Sequence, residues 1–203
     1  MVAGLRVAMV SMHTSPVALP GTGDSGGMNI AILETAVQLA RRGAVVDLVT
    51  RAVGEPVSRE LAERVTLHEL AAGPRGPIPK EGLAEVVDEF GEAVAALTGR
   101  LQPRYDLIHA HYWLSGLATL PVALELGLPL VQSFHTVAAM KNADADLRPE
   151  PERRVRTEMF LAGQASAIIA GSAAEATALI DLVRAPADRV WVIPPGVYID
   201  VFR

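Results

Sequence analysis

Cysteine is missing from the 203 residues, which removes disulfides, thiolate nucleophiles and Cys-ligated zinc and suits a reducing, cytoplasmic setting. Positive charge is also scarce. With 18 Lys and Arg against 23 Asp and Glu, the net charge is -5. No surplus field exists to draw in a nucleic-acid backbone, so small molecules are the expected partners. No apolar run approaches the ~18 residues of a membrane span, and the short run near Val7–Val10 is below signal-peptide length, so membrane insertion is not expected. The chain contains no H-E-x-x-H helix, which argues against a zincin. Lysine itself is rare: only Lys80 and Lys141 occur, both in or beside Gly/Pro-rich or polar connections, where a solvated amine and a ligand-binding one are equally good readings.

What is present is enough to bury a substantial core, since half the residues are hydrophobic and a fifth are charged. Short apolar or β-branched runs at 6–11, 45–50, 65–70, 106–111, 129–134, 167–171 and 189–193 read as about seven buried strands. Helical patterns lie between most of them. Ile32, Ala36 and Ala40 repeat at steps of four before a Gly43 stop. Leu83, Val87, Phe90, Val94, Leu97 and Leu101 mark a second long helix, and further helices are expected at 114–126, 151–164 and 173–183. Alternating strands and helices predict a Rossmann-like, doubly wound α/β domain with a mainly parallel sheet, whose ligands gather at the carboxyl ends of the strands. The loops at 12–27, 71–82 and 136–150 are long enough to carry binding groups.

One of those loops contains GTGDSG (21–26), which spells G-x-G-x-x-G, and Asp47 follows about 20 residues on, where a dinucleotide fold keeps its ribose-binding acid. The geometry does not follow the letters. About ten residues, including Pro16 and Pro20, separate the first strand from Gly21, whereas the dinucleotide turn needs its glycine almost at once. What remains is Gly26–Gly27 directly before the first helix. That pair either lets a phosphate reach the free N–H groups of the helix start or serves loop geometry alone.

The loop HTSPVALPGTGDSGGMN (13–29) carries more than glycines. With AGPRGPIPK (72–80), YDLIHAHYWLSG (105–116), FHTVAAMKNA (134–143), PEPERRVRTE (149–158) and PPGVYIDVF (194–202), it resembles in collinear order the inositol-phosphate glycosyltransferases of the mycothiol pathway. These are retaining family 4 enzymes of the GT-B fold, in which two Rossmann-like domains face each other across a cleft. The resemblance implies that residues 1–193 are the acceptor-side domain, that 194–203 begin an interdomain linker, and that a donor-binding domain lies outside this chain. It implies transfer of a sugar, N-acetylglucosamine from a UDP-sugar, onto inositol phosphate or a similar acceptor. It matches Lys80, Tyr112, Thr136 and Arg154 to a phosphate clamp, and His13, Asp24, Met28 and Asn29 to the surroundings of the acceptor ring. Pro20, Gly21, Gly26 and Gly27 match the approach to the donor diphosphate, and His135 matches a catalytic-site histidine beside the transferred sugar. No cofactor is implied for this domain; any magnesium would belong with the further domain. The resemblance leaves a homodimer open, and the isolated domain is expected to be nearly inactive.

Alternatives stand beside that reading. Arg154 could be one more solvated residue of ERRVR, with Arg156 as its substitute, and Tyr112 could simply pack beside Trp113. His109, His111 and His135 could converge on a metal, although no supporting Cys or motif accompanies them. Glu81/Glu89 and Glu150/Glu158 repeat the family's donor-side E-x7-E spacing but fall in the wrong domain. The chain also departs from the family at Leu19, at AGSAAEA (170–176), at Tyr198-Ile199 and in a shortened connection from Lys141 to Arg154, which leaves acceptor identity open. An unphosphorylated cyclitol or aminoglycoside precursor is one rival acceptor, and a non-catalytic binding module is a rival of another class.

Overall fold

The computed structural model describes residues 2–21, 25–143 and 149–197. Eight strands form one sheet: β1 (Arg6–Val10), β2 (Val45–Arg51), β3 (Val57–Ala62), β4 (Val65–Leu70), β5 (Leu107–His111), β6 (Leu130–Ser133), β7 (Ala167–Ala170) and β8 (Val190–Val192). Their order across the sheet is β3-β4-β2-β1-β5-β6-β7-β8. Every pairing is parallel except β3 with β4. The α-helices are α1 (Gly27–Arg41), α2 (Val87–Arg100), α3 (Trp113–Leu126), α4 (Ala138–Ala143), α5 (Glu152–Gln164) and α6 (Ala173–Asp181).

Side-chain alternation along the central strand divides the core. Val7 and Met9 of β1 join Ile32 and Ala36 of α1 with Leu48 and Leu67, while Ala8 and Val10 join Phe90 and Val94 of α2 with Leu114 of α3. A parallel strand covered on both faces is mostly apolar, which is why β1 reads as an apolar run, RVAMV. Gly91 lets α2 lie close against α3, since a Cβ there would sit 2.6 Å from the Ala118 carbonyl oxygen.

The expected architecture is present, with eight strands in place of about seven. The extra strand, β3, is an exposed edge strand of sequence VSRELA joined to β4 by a tight turn with Arg64 at φ 64°. Only Leu61 of it packs against the core, so it has no apolar pattern by which to be recognised. The helix expected from Leu83 to Leu101 is divided into a 3-10 segment over Lys80–Val86 and then α2. Only six residues long, α4 is too short to show a helical period.

Asp47 lies inside β2, 1% exposed, and accepts hydrogen bonds from Arg6 Nε and Nη2 at 3.1 and 2.8 Å; His68 Nε2 lies 3.3 Å away. The acid that would have read ribose in a dinucleotide fold therefore ties β1 to β2 and β4. Burial alone would raise its pKa, but the neighbouring His68 and the hydrogen-bonded Arg6 outweigh it and hold the carboxyl below its ordinary value. A depressed carboxyl contributes stability above its unfolded pKa of ~4, lost as pH falls through the folded value. Asp47→Ala removes one member of a buried pair and is expected to lower unfolding free energy by about 3 kcal/mol near neutral pH, read from urea denaturation. A loss below about 1 kcal/mol would contradict this role.

Candidate functional site

In this sheet the chain runs outward from β1 through β2 to β4, then crosses back to β5 on the other side, so β1 and β5 flank the switch point. Ligand crevices of doubly wound sheets open there, at the carboxyl ends. His13 follows β1, Tyr112 follows β5, and His135 and Thr136 follow β6. Lys80 begins the 3-10 segment after β4, and Arg154 lies in the first turn of α5.

These groups come together on the Tyr112 ring. The Lys80 Nζ lies 5.0 Å from its centroid and the Arg154 Cζ 4.9 Å, so two cations flank one aromatic side chain. His13 packs on the same ring at 4.2 Å between centroids. Thr136 joins through Arg154, whose Nη2 donates to the Thr136 carbonyl oxygen at 2.8 Å and to Oγ1 at 3.0 Å. The Thr136 hydroxyl thus accepts from Arg154 and keeps its own proton to donate.

Arg154 is only 3% exposed and is held by two carboxylates one turn to either side. Its Nε donates to Glu158 Oε1 at 2.7 Å, and its Nη1 lies 2.8 Å from Glu150 Oε1. Glu158 Oε2 also accepts the Ala138 amide at the start of α4, and Glu150 Oε1 accepts from Lys141 Nζ at 2.6 Å. Burial opposes the guanidinium charge, but Glu158, Tyr112 and Glu150 overcome it, and the pKa rises above its ordinary value. Arg156, the alternative cation, is exposed and paired with Glu152. The E-x7-E pair at 150 and 158 is therefore the i-4 and i+4 support of Arg154, a pattern readable as E-x3-R-x3-E. Glu89 of the other pair accepts the Gly73 amide at 2.8 Å and fixes the loop that leads to Lys80.

Tyr112 and His135 both adopt positive φ, 72° and 61°, which is uncommon for residues with side chains. The Tyr112 conformation is held by its amide donating to the Ser133 carbonyl at 2.8 Å and by Gln132 Nε2 donating to its own carbonyl at 3.3 Å. His135 Nε2 lies 2.9 Å from His111 Nδ1, and His109 Nε2 lies 3.0 Å from Ser133 Oγ. Glu175 accepts hydrogen bonds from the Gly171 and His135 backbone. Among the described residues no group of three or more His, Asp or Glu is arranged to hold a metal.

Of the groups assigned to the acceptor ring, His13 lies beside the clamp, while Asn29 and Met28 are occupied elsewhere. Asn29 is 1% exposed, donating to Thr14 Oγ1 at 3.0 Å and the Ser15 carbonyl at 2.6 Å while accepting from the Gly26 amide at 3.1 Å. Its amide thus holds the long loop against the start of α1. Met28 packs on both halves of the core. Asp24 lies outside the described residues. Pro20 and Gly21 sit on the exposed part of the loop, Gly21 at φ 84°. Neither Gly26 nor Gly27 has a positive φ, and a Cβ on either would meet nothing within 4 Å. Neither a positive φ nor crowding by the described chain calls for glycine there.

Burial lowers the pKa of all four cleft histidines. His13 falls to about 3, with Lys80, His135 and Arg154 adding to the burial effect; His109 falls to about 3 and His135 to about 4, and His111 lies well below its ordinary value. All four are neutral at pH 7, so a single proton occupies the His111–His135 contact.

A polar cleft at the carboxyl ends of a doubly wound sheet is the architecture of the N-terminal half of a GT-B glycosyltransferase. Sucrose-phosphate synthase from Thermosynechococcus elongatus superposes with a TM-score of 0.90 at 29% identity, over 98% of this chain and 50% of that one. Anabaena HepE, solved with UDP and glucose, shares the fold at a TM-score of 0.62 and 19% identity, over 98% of this chain and 46% of its own. The chain belongs to glycosyltransferase family 4: the model described as Glycosyltransferase Family 4 matches residues 25–201. Among relatives, the D-inositol 3-phosphate glycosyltransferases of Thermobifida fusca and Nocardiopsis dassonvillei are each 46% identical over 203 residues, 97% of this chain. The match covers 46% and 47% of those proteins, so the chain spans about half their length.

Because the unfolded chain binds protons near pH 6.5 and the folded cleft does not until about pH 3 to 4, stability is expected to fall as pH drops from about 6.5 toward 4. Unfolding free energies measured across that range, together with imidazole resonances, check this. His13, His109, His111 and His135 should show no titration between pH 8 and 5; a midpoint near 6.5 for any of them would contradict its burial as a neutral group.

Proposed function

We propose that this chain is the acceptor-binding half of a sugar transferase whose acceptor is a phosphorylated cyclitol, inositol phosphate or a close relative. The observation that carries the reading is the meeting of Lys80 and Arg154 on the Tyr112 ring, with Thr136 joined to Arg154. A phosphomonoester carries close to two negative charges and three acceptor oxygens, and a point cation, a fixed guanidinium and two hydroxyls supply what it needs. Burial raises the Tyr112 pKa, with Arg154 opposing, so the phenol remains protonated and able to donate.

On this reading the donor is a UDP-sugar, N-acetylglucosamine being the sugar the motif resemblance implies, with its diphosphate approaching Gly26–Gly27 and the first turn of α1. His135 stands beside the transferred sugar. The residues that select the nucleotide belong to a second domain facing this one, and this half requires no resident cofactor. Rate enhancement then comes from holding acceptor and donor together and excluding water, not from a covalent protein nucleophile. Among the described residues no helix is long and apolar enough to cross a membrane, which suits a cytoplasmic enzyme acting on small charged substrates.

Calorimetric titration with inositol phosphate and with inositol tests the reading. The phosphorylated compound should bind at least tenfold more tightly, and Lys80→Ala should remove most of that difference while leaving the melting temperature within about 2 °C, since a charge-assisted contact is worth about 1.5 to 3 kcal/mol. Equal affinities for the two compounds would favour an unphosphorylated acceptor.

A further inference from the structure

Of the two lysines in this chain, the clamp accounts only for Lys80. Lys141 lies in α4 with its side chain partly exposed, and its Nζ donates to Glu150 Oε1 at 2.6 Å. The same oxygen lies 2.8 Å from Arg154 Nη1, so one carboxylate oxygen is shared between this lysine and the arginine of the clamp. The helix is seated by other contacts as well. The Ala138 amide donates to Glu158 Oε2 at 2.8 Å, and Asn142 Oδ1 accepts the Glu150 amide at 2.6 Å. The start of α4 and its junction with the entry to α5 therefore keep main-chain hydrogen bonds of their own, and the charge of Lys141 is spent on Glu150.

A count of the Arg154 donors shows what that charge does. Its Nε donates to Glu158 Oε1 at 2.7 Å, and Nη2 donates to the Thr136 carbonyl at 2.8 Å and to Thr136 Oγ1 at 3.0 Å. A guanidinium has five N–H donors, one on Nε and two on each terminal nitrogen, so the protons left for a ligand are those of Nη1. Glu150 is the chain's own claimant on that nitrogen. An anion arriving at Nη1 has to share it with this carboxylate. Burial would raise the Glu150 pKa, but the hydrogen bond from Lys141, together with Arg154, lowers it below the usual carboxylate value, so the competing group is ionised. A carboxylate oxygen divided between two cations holds each less firmly than it would hold one alone.

We propose that Lys141 is a positioning residue of the clamp: by engaging Glu150 it keeps Arg154 Nη1 open to a phosphate. The proposal rests on the acceptor reading given above. Without the lysine, the Glu150 carboxylate turns wholly to Arg154, and the clamp is closed by its own counter-ion. With it, Arg154 keeps the two carboxylates that make its burial tolerable and still has a nitrogen to give. Lys141 thus acts on the anion through Glu150 and not by contact.

The test is calorimetric titration of the 203-residue chain with inositol phosphate, and with inositol as the uncharged control, in wild type, Lys141→Gln, Lys141→Arg and the double variant Lys141→Gln with Glu150→Gln. Lys141→Gln should weaken inositol phosphate binding by about three- to tenfold and leave inositol binding within about twofold, whereas Lys141→Arg keeps the charge and should stay within about twofold of wild type for both compounds. The double variant, in which Glu158 remains as the counter-ion of Arg154, should recover inositol phosphate binding to within about twofold of wild type. Carbon-13 titration of the Glu150 carboxyl should show its midpoint moving up in Lys141→Gln, because the hydrogen bond that lowers it is gone. Unchanged inositol phosphate affinity in Lys141→Gln overturns the proposal. So does a double variant that binds as weakly as Lys141→Gln alone, since the lysine would then act by seating α4 and not through Glu150. A wild type that binds inositol phosphate no more tightly than inositol would instead remove the acceptor reading on which the proposal rests.

Discussion

The cleft is organised by a guanidinium that cannot leave. Arg154 is buried under the carboxyl ends of the sheet, and a charge in that position is tolerable only if it is paired and most of its donors are engaged. Glu158 and Glu150 supply the counter-charge, the Thr136 carbonyl and hydroxyl take a third nitrogen, and the Tyr112 face covers the cation. Through those few contacts the arginine fixes the start of α4, the entry to α5 and the turn after β6. Substitution of a single partner would leave a buried charge exposed to the others, so the site is held together by the same electrostatics that give it an appetite for anions.

Around that anchor the backbone is held in conformations that side chains normally avoid. Tyr112 and His135 both occupy the left-handed region directly after adjacent strands. Such residues cost of order 1–3 kcal/mol each and persist where their surroundings over-determine them. Here the surroundings are identifiable: Gln132 and the Ser133 carbonyl restrain Tyr112, while His111 and Glu175 restrain His135. The result is an aromatic ring and an imidazole aimed into the cleft from rigid strand ends. Their neutral neighbours His109 and His13 add no competing charge, leaving the positive field to lysine and arginine.

The alternation of β and α elements was legible because parallel strands covered on both faces are mostly apolar, and β1 advertises this. The edge strand β3 was not, since solvent accepts VSRELA without demanding a pattern. Within the site, the residues of the clamp lie too far apart in sequence for spacing to unite them; they were found by resemblance, and their meeting is a property of the fold. Glu150 and Glu158 were visible as a spacing but credited to chance, although the arginine midway between them was the clue. Asn29, matched by resemblance to the acceptor's surroundings, also holds its own loop through its amide.

The central claim is that one phosphomonoester sits on the Tyr112 face between Lys80 and Arg154. A crystal structure of the chain with inositol phosphate tests it most directly. The account predicts phosphorus density within hydrogen-bonding reach of the Lys80 ammonium, the Tyr112 and Thr136 hydroxyls and the Arg154 guanidinium. Density for the phosphate at Gly26–Gly27, or at any surface away from those four groups, would contradict it.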